Sequence, residues 1–167
     1  MLRLHCQTSG VSLTAQSPYN NIIRTTLEAL SAVLGGTQSL HTNSFDEALA
    51  LPTSLSANIA RNTQHILRDE TGISHVIDPL GGSYYVENLT QELIDRASTL
   101  IKKIEEMGGM TKAIEKGFPQ GEIEKAAVER QARFEKGEET VVGVNAFVVE
   151  EADAPEIRRV ETLAVQE

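Results

Sequence analysis

The chain has 167 residues, of which 40% are hydrophobic and 23% are charged, and its formal net charge is -9 at pH 7. This composition is typical of a globular protein with a buried core and excludes a disordered chain. The acidic balance argues against a nucleic-acid partner, and no apolar stretch approaches the ~20 residues of a membrane span.

The first part of the chain predicts a strand, a helix and a second strand. Residues 2–8 alternate as a strand does. Ser17 and Pro18 predict an N-cap and a first helical turn, and Gly35-Gly36 predicts the end of that helix. A second strand is predicted over residues 37–42. The apolar positions at helical spacing are Tyr19, Ile22, Ile23, Leu27, Leu30, Val33 and Leu34. This order is that of a parallel βαβ unit, whose loops after the strands usually carry function.

The next segment predicts two helices. Ser44 and Glu47 form a capping-box pattern, which predicts a short helix that stops near Pro52. A second helix is predicted over residues 53–69. Its predicted buried residues are Leu55, Ile59, Ile66 and Leu67.

The remainder predicts mainly helices. Thr90 is predicted to cap a long amphipathic helix that ends at Gly108-Gly109, and shorter helices are predicted at 110–116 and 120–136. The apolar stripe of the long helix is Leu93, Ile94, Ala97, Leu100, Ile101, Ile104 and Met107. Residues 141–144 predict a short strand-like run, and the tail from Glu150 is expected to fray or to pack on a partner.

Both predicted strands carry polar side chains where a buried strand would carry aliphatic ones. His5 and Gln7 share one face of the first strand. Both faces of the second strand carry polar atoms, so its alternation does not indicate which face is inward; one face holds Thr37, Ser39 and His41, and the other holds Gln38, Leu40 and Thr42. These faces predict contact with water or with a ligand. The alternatives are a hydrogen-bonded strand end for the first and a solvated edge strand for the second. Glu47 can grip a ligand hydroxyl or simply complete the capping box.

The sequence contains no motif of a phosphate loop, a dinucleotide-binding fold or a nucleophile elbow. Its four histidines and one cysteine show no metal-ligand spacing, and adjacent His5 and Cys6 point to opposite faces of a strand. We therefore predict no metal site. A single cysteine forms no internal disulfide, and we expect a reducing compartment, the cytoplasm.

Several ordered segments resemble one known family. The segment HCQTSG at residues 5–10, followed by PYNN at 18–21, is similar to one signature of the adenosylcobalamin-dependent acyl-CoA mutases, which include the large subunit of methylmalonyl-CoA mutase. The segment GTQSLHTNSFDEAL at 36–49 resembles a second and more specific signature. The similarity continues through residues 59–64, 78–85, 106–110 and 142–145.

The resemblance implies an α/β fold that is the C-terminal portion of a (β/α)8 barrel of TIM type, followed by a helix-rich extension. It predicts barrel residues at 1–86, the helical extension at 87–145 and a tail or linker at 146–167. The family's barrel threads acyl-CoA along its axis through small hydrophilic side chains, which would account for the polar strand faces. The remaining part of the barrel and a cobalamin-binding domain or subunit are the implied partners.

The resemblance also implies roles for individual residues. The positions that match contacts to adenosylcobalamin are Gln7, Gly10, Glu47 and Ala50, and Glu47 would reach the adenosyl ribose. His5 and Gln38 match positions on the acyl-CoA side of the cavity. The implied enzyme is an isomerase that converts methylmalonyl-CoA to succinyl-CoA by a radical 1,2 shift. These residues would position ligands rather than act as acids or bases, and we expect no activity from the isolated chain.

Three departures and two alternatives accompany the resemblance. The segment FPQGE at residues 118–122 is looser than the usual version in the family. Val11 and Leu80 stand where many members have tryptophan, which is more similar to forms with a separate cobalamin-binding subunit. One alternative is a non-catalytic assembly module that docks a mutase partner chain. The other keeps the enzyme class but changes the substrate to isobutyryl-CoA or ethylmalonyl-CoA.

Overall fold

The computed structural model describes residues 3–149 and 155–158. It divides into two compact units, one made of residues up to Pro79 together with those from Val142, and the other made of Leu80–Val141. The predicted boundaries at residues 86 and 145 concern domains of the longer family members and stay predictions. Among the described residues, no helix is long and apolar enough to cross a membrane.

The first unit contains the predicted strand, helix and strand. These are β1 (His5–Gln7), α1 (Asn20–Leu34) and β2 (Ser39–His41), and the two strands pair in parallel. The register places His5 opposite Ser39 and Gln7 opposite His41. The mixed α/β architecture with a small parallel sheet is therefore confirmed, although each strand is shorter than its sequence pattern predicted.

The two ends of α1 differ in how well they were predicted. Gly35 caps the C-terminus, and Gly36 follows with a φ of 79°, so the predicted end is confirmed. The predicted N-cap is wrong. Ser17 has a φ of 45°, which takes it out of the extended conformation that a capping side chain needs, and the helix begins after Tyr19 without a side-chain cap.

The buried face of α1 is not its apolar stripe. Asn21, Thr25 and Ala29 are its buried residues, whereas Ile23 is 62% exposed and Leu27 is 58% exposed. This helix therefore packs within its unit through small and polar side chains. Ile23 and Leu27 stay on the outside of the unit, and the other apolar residues of the stripe within the helix are half-buried.

The segment between β2 and the next helix forms turns rather than the predicted short helix. The Ser44 hydroxyl is buried but has no hydrogen-bond partner among the described residues, so the predicted capping box at Ser44 is wrong. Asp46 organises the turn instead, because its carbonyl oxygen accepts hydrogen bonds from the backbone N–H groups of Leu49 (2.8 Å) and Ala50 (3.0 Å).

The helix α2 (Ser54–Asp69) follows this turn. Thr53 and Ser56 form a reciprocal capping box in which the Ser56 N–H donates to Thr53 Oγ1 at 3.1 Å and the Thr53 N–H donates to Ser56 Oγ at 2.9 Å. Leu67 is buried as predicted, but Leu55 and Ile66 are exposed. A 3-10 helix (Ile73–His75) completes this part of the unit.

The second unit consists of α3 (Tyr84–Glu106), α4 (Met110–Glu115) and α5 (Phe118–Glu135). The predicted cap of the long helix at Thr90 is wrong, because α3 begins six residues earlier and Ser83 is its N-cap. Thr90 lies inside the helix and donates its hydroxyl hydrogen to Val86 O at 2.8 Å. The predicted stop at Gly108-Gly109 is confirmed, and both glycines have positive φ.

Residues 141–144 form no strand in the structure. Val142 makes an isolated bridge to Ala146, and its carbonyl oxygen accepts a hydrogen bond from Arg24 Nη2 at 2.7 Å. This returning segment is thereby attached to α1. Of the tail that begins at Glu150, residues 150–154 and 159–167 lie outside the described residues, and Arg158 bridges to Leu51.

Candidate functional site

One face of the parallel strand pair is formed by polar, exposed side chains. Alternation along the two strands puts His5, Gln7, Ser39 and His41 on the same face, while Cys6 and Leu40 are half-buried on the other. His5 Nδ1 is hydrogen-bonded to Ser39 Oγ at 2.5 Å. We call the four exposed residues the polar face. The sequence left open which side of the second strand was inward, and the structure assigns the polar side to the exterior of this unit.

Gln38 lies just before β2, and its side chain holds the start of both strands. Gln38 Oε1 accepts a hydrogen bond from the Leu4 N–H at 2.5 Å, and Gln38 Nε2 donates to Gly36 O at 2.6 Å. Both ends of the amide thus bind backbone groups. One amide hydrogen and one lone pair of the oxygen remain for another partner.

Asn43 joins the loops that follow the two strands. Its backbone N–H donates to Thr8 Oγ1 at 2.8 Å, and its Oδ1 lies 3.4 Å from Gln7 Nε2. A Cβ added to Gly10 would lie 3.3 Å from Asn43 Nδ2. The structure therefore brings Gln7 and Gly10, two of the predicted cofactor residues, to opposite ends of one side-chain amide.

Asn43 was not singled out from the sequence. It is 3% exposed and belongs to a continuous buried run, residues 42–46, that contains four polar side chains and one phenylalanine. A polar run directly after a strand was the available signal, since buried polar groups need hydrogen-bond partners from elsewhere in the fold.

Glu47 is exposed and has no side-chain partner among the described residues. It lines an open depression of about 280 Å³ together with His41, the last residue of β2. Ala50 is half-buried in the same turn as Glu47. Because the carboxyl ends of parallel strands lie at one edge of the sheet, the loops that carry Gly10 and Glu47 leave from the same edge.

The donors and acceptors at this edge fit the adenosyl group that the resemblance implies. Glu47 offers an unpartnered carboxylate that can accept hydrogen bonds from ribose hydroxyls, and Gln7 offers an amide. Gly10 has no side chain, and Ala50 has only a methyl group. Two buried atoms in the same turn, Ser44 Oγ and Asp46 Oδ1, have no hydrogen-bond partner among the described residues.

The outer edge of β2 is partly covered by α2. Gln64 Nε2 donates to Leu40 O at 3.1 Å and to Thr42 Oγ1 at 3.0 Å. An exposed ion pair lies further along α2, where the hydrogen bond and charge of Arg68 lower the pKa of the Asp69 carboxyl. Within the described ranges, no three His, Cys, Asp or Glu side chains are grouped closely enough to hold a metal ion.

This geometry defines an α/β protein that has polar groups at the C-terminal ends of two parallel strands. The sequence matches the family model described as methylmalonyl-CoA mutase over residues 1–167, and the chain belongs to that family. The resemblance stated from the sequence motifs is therefore confirmed.

Similar proteins agree with this assignment. The chain is 59% identical over 167 residues to the methylmalonyl-CoA mutase of Cereibacter sphaeroides, and the match covers 100% of this chain and 24% of that protein. It is 60% identical over 166 residues to the methylmalonyl-CoA mutase of Rhizobium meliloti, covering 99% and 23%. It is 58% identical over 166 residues to the mitochondrial methylmalonyl-CoA mutase of Homo sapiens, covering 99% and 22%. The chain thus spans less than a quarter of the length of these relatives.

Proposed function

We propose that this chain supplies part of the catalytic subunit of an adenosylcobalamin-dependent acyl-CoA mutase of the methylmalonyl-CoA mutase type. In this proposal β1 and β2 are the last strands of a (β/α)8 barrel and form walls that face the cofactor and CoA. The observation that carries it is the polar face, which ends at a sheet edge where Glu47 has an unpartnered carboxylate. The rest of the barrel and a cobalamin-binding domain or subunit would supply the other walls.

Each proposed residue would position a ligand. Gln7 and Glu47 would hydrogen-bond the adenosyl group, while Gly10 and Ala50 would leave space for it. His5 would present an imidazole to the acyl-CoA side, and Gln38 would use the part of its amide that the backbone does not occupy.

Bound adenosylcobalamin would supply the radical chemistry of the 1,2 shift. The residues of this chain would orient that group and exclude water from the cavity once the barrel is closed. None of them transfers a proton in this proposal. Their substitution should therefore change ligand affinity more than the pH dependence of turnover.

Glu47→Gln in the complete mutase that contains these residues tests the proposal. We expect the KM for adenosylcobalamin to rise about tenfold, because a neutral amide accepts weaker hydrogen bonds than a carboxylate, with the KM for acyl-CoA unchanged. Glu70→Gln is the matched control, since Glu70 is an exposed glutamate at the end of α2. Equal effects of the two substitutions would contradict the proposed role of Glu47.

Comparing methylmalonyl-CoA, isobutyryl-CoA and ethylmalonyl-CoA as substrates in the same assay would decide among these substrates.

The isolated 167-residue chain should not turn over methylmalonyl-CoA when adenosylcobalamin is added, because two short strands do not close a barrel. Detectable succinyl-CoA would contradict this expectation.

We also propose that the protein is located in the cytoplasm. This proposal rests only on its single cysteine, which forms no internal disulfide.

The second candidate function is a non-catalytic module that docks a mutase partner chain. It is favoured by the apolar stripe of α3, on which Leu93 is 60% exposed and Ile101 is 59% exposed. Large exposed apolar patches mark interaction surfaces. The test is whether the chain is encoded next to the other part of a barrel or beside a complete mutase. The first arrangement supports the enzyme, and the second supports the module.

A further inference from the structure

The loop that follows β1 is held by the carboxylate of Glu28 on α1. The backbone N–H of Ser9 donates to Glu28 Oε2 at 2.7 Å, and the Ser12 hydroxyl is hydrogen-bonded to Glu28 Oε1. Ser12 Oγ also lies 2.8 Å from Ser9 O. A single carboxylate thus joins both ends of the Ser9–Ser12 loop, and Gly10 lies inside it.

Glu28 lies on the face of α1 that also contacts the segments following β1 and β2. Asn21, Thr25 and Glu28 are spaced by four and three residues, which places them on one helix face. Asn21 Nδ2 donates to Thr14 O at 2.8 Å and to Phe45 O at 2.9 Å. This face of α1 therefore holds the segment after β1 at Ser9, Ser12 and Thr14, and the turn after β2 at Phe45.

We propose that Glu28 is a positioning residue that acts through Gly10 on the adenosyl group. Its two hydrogen bonds select one conformation of the Ser9–Ser12 loop, and that conformation places Gly10 beside the amide of Asn43, whose Oδ1 is contacted by Gln7. The inference rests on the proposed function, because it needs Gly10 to face the cofactor. A purely structural Glu28 would stabilise the unit without favouring one form of cobalamin over another.

The first measurement is amide hydrogen exchange of Ser9 in the 167-residue chain. We expect the exchange rate of the Ser9 amide to rise about tenfold in Glu28→Ala, because its acceptor is removed, and about threefold in Glu28→Gln, which keeps one acceptor oxygen. Glu70→Ala is the control and should leave Ser9 unchanged. An unchanged Ser9 rate in Glu28→Ala would overturn the proposal.

The second measurement compares the dissociation constants of adenosylcobalamin and hydroxocobalamin, which lacks the adenosyl group, in the complete mutase. In Glu28→Ala we expect the preference for adenosylcobalamin to fall about 3- to 10-fold, with the dissociation constant of hydroxocobalamin changed less than twofold. Glu28→Gln should restore part of the preference.

The outcomes separate this inference from the proposed function. If the wild-type mutase prefers adenosylcobalamin and Glu28→Ala keeps that preference, Glu28 is not a positioning residue. Equal loss of affinity for both cobalamins would also overturn the inference, because it indicates general destabilisation. If the wild-type mutase shows no preference, the inference fails, because contacts to the adenosyl group then add nothing to the affinity. The proposed function is decided separately by the Glu47→Gln comparison.

Discussion

His5 and Ser39 lie side by side in the two parallel strands, and Nδ1 of His5 is hydrogen-bonded to Oγ of Ser39 at 2.5 Å. The register produces this contact, since these two residues are direct partners across the strand pair. Nε2 is then the ring nitrogen of His5 that remains for another group. The pair therefore presents an oriented imidazole on the polar face.

Ser39→Ala should release this imidazole. Because a hydrogen bond at Nδ1 favours one tautomer of the ring, its loss should change the tautomer populations and move both ring ¹⁵N shifts of His5 in NMR spectra. The ring of His41, which lies two residues further along β2, is the internal control and should keep its shifts. Unchanged His5 shifts would show that the Ser39 hydroxyl does not orient the ring in solution.

Asn21→Ala should be strongly destabilising. Asn21 is fully buried, and its amide makes four hydrogen bonds: Oδ1 accepts from Thr14 N (3.1 Å) and Arg24 Nη1 (2.7 Å), while Nδ2 donates to the carbonyl oxygens of Thr14 and Phe45. Removing the amide leaves buried partners unsatisfied, so we expect the free energy of unfolding to fall by about 2–4 kcal/mol. Urea-induced unfolding followed by circular dichroism measures this.

Asn62→Ala is the matched control for Asn21, because Asn62 is an exposed asparagine on α2. Its effect should stay within about 0.5 kcal/mol, as for other exposed positions. Similar losses for the two variants would mean that the hydrogen bonds of Asn21 add nothing to stability.

Gly143→Ala should destabilise the first unit more than Gly36→Ala. The two glycines have nearly the same φ, 80° and 79°, so both substitutions carry the same backbone strain of about 1–2 kcal/mol. Gly36 has open space at its Cβ position, whereas a Cβ on Gly143 would lie 3.0 Å from both Cβ and Oγ of Ser17. We therefore expect Gly143→Ala to lower the free energy of unfolding, measured by urea denaturation, by about 1–3 kcal/mol more than Gly36→Ala does.

Ser17→Gly provides a rescue test for this contact. Without the Ser17 side chain, Gly143→Ala should lower the free energy of unfolding by about as much as Gly36→Ala does. If Gly143→Ala remains the more destabilising substitution in the Ser17→Gly background, crowding against Ser17 is not the cause of the difference.

The pKa of Asp69 should depend on Arg68. The guanidinium of Arg68 lowers the pKa of the Asp69 carboxyl, first through their hydrogen bond and also through its charge. Since the folded-state pKa lies below the unfolded-state value, the associated stabilisation is present above the unfolded-state pKa and is lost as the pH falls through the folded-state pKa. The pair is exposed, so we expect only a small effect on stability.

Carboxyl ¹³C NMR titration measures this shift. In Arg68→Gln the pKa of Asp69 should rise toward its ordinary value of 3.8. Arg61→Gln is the control, because Arg61 is an exposed arginine of the same helix that is hydrogen-bonded to Asn58. An Asp69 titration that is identical in wild type and Arg68→Gln would contradict the assigned cause.

Sequence motifs correctly predicted the helix ends that depend only on neighbouring residues. The end of α1 at Gly35-Gly36 needs only a backbone that tolerates a positive φ, and it was predicted correctly. The cap of α3 was not, because Thr90 and Ser83 both carry a capping hydroxyl. The structure selects Ser83, whose Oγ accepts from the Val86 N–H at 3.5 Å. Capping residues alone do not choose between two possible starts of one helix.

The residues of the candidate site were also only partly predictable from the sequence. Gln7 and Glu47 could be proposed from their positions at strand ends and from the family motifs. Asn43 and Glu28 could not, since Asn43 contacts Gln7 across 36 residues of sequence and Glu28 contacts Ser9 across 19. Such pairings depend on the chain path and leave no periodic signal.

The sequence by itself determined the family, the order of strand, helix and strand, and the polar character of both strands. These depend on residue type and on spacing along the chain, which the printed sequence contains. Only the tertiary structure decided which face of α1 is buried, that Asn43 and Glu28 hold the loops at the carboxyl edge, and that residues 44–50 form a turn rather than a helix. The buried face of α1 and the contacts of these loops depend on hydrogen bonds between residues far apart in the sequence, such as Asn21 Nδ2 to Phe45 O. A buried polar group needs a partner that the chain path supplies, and spacing along the sequence does not encode that path.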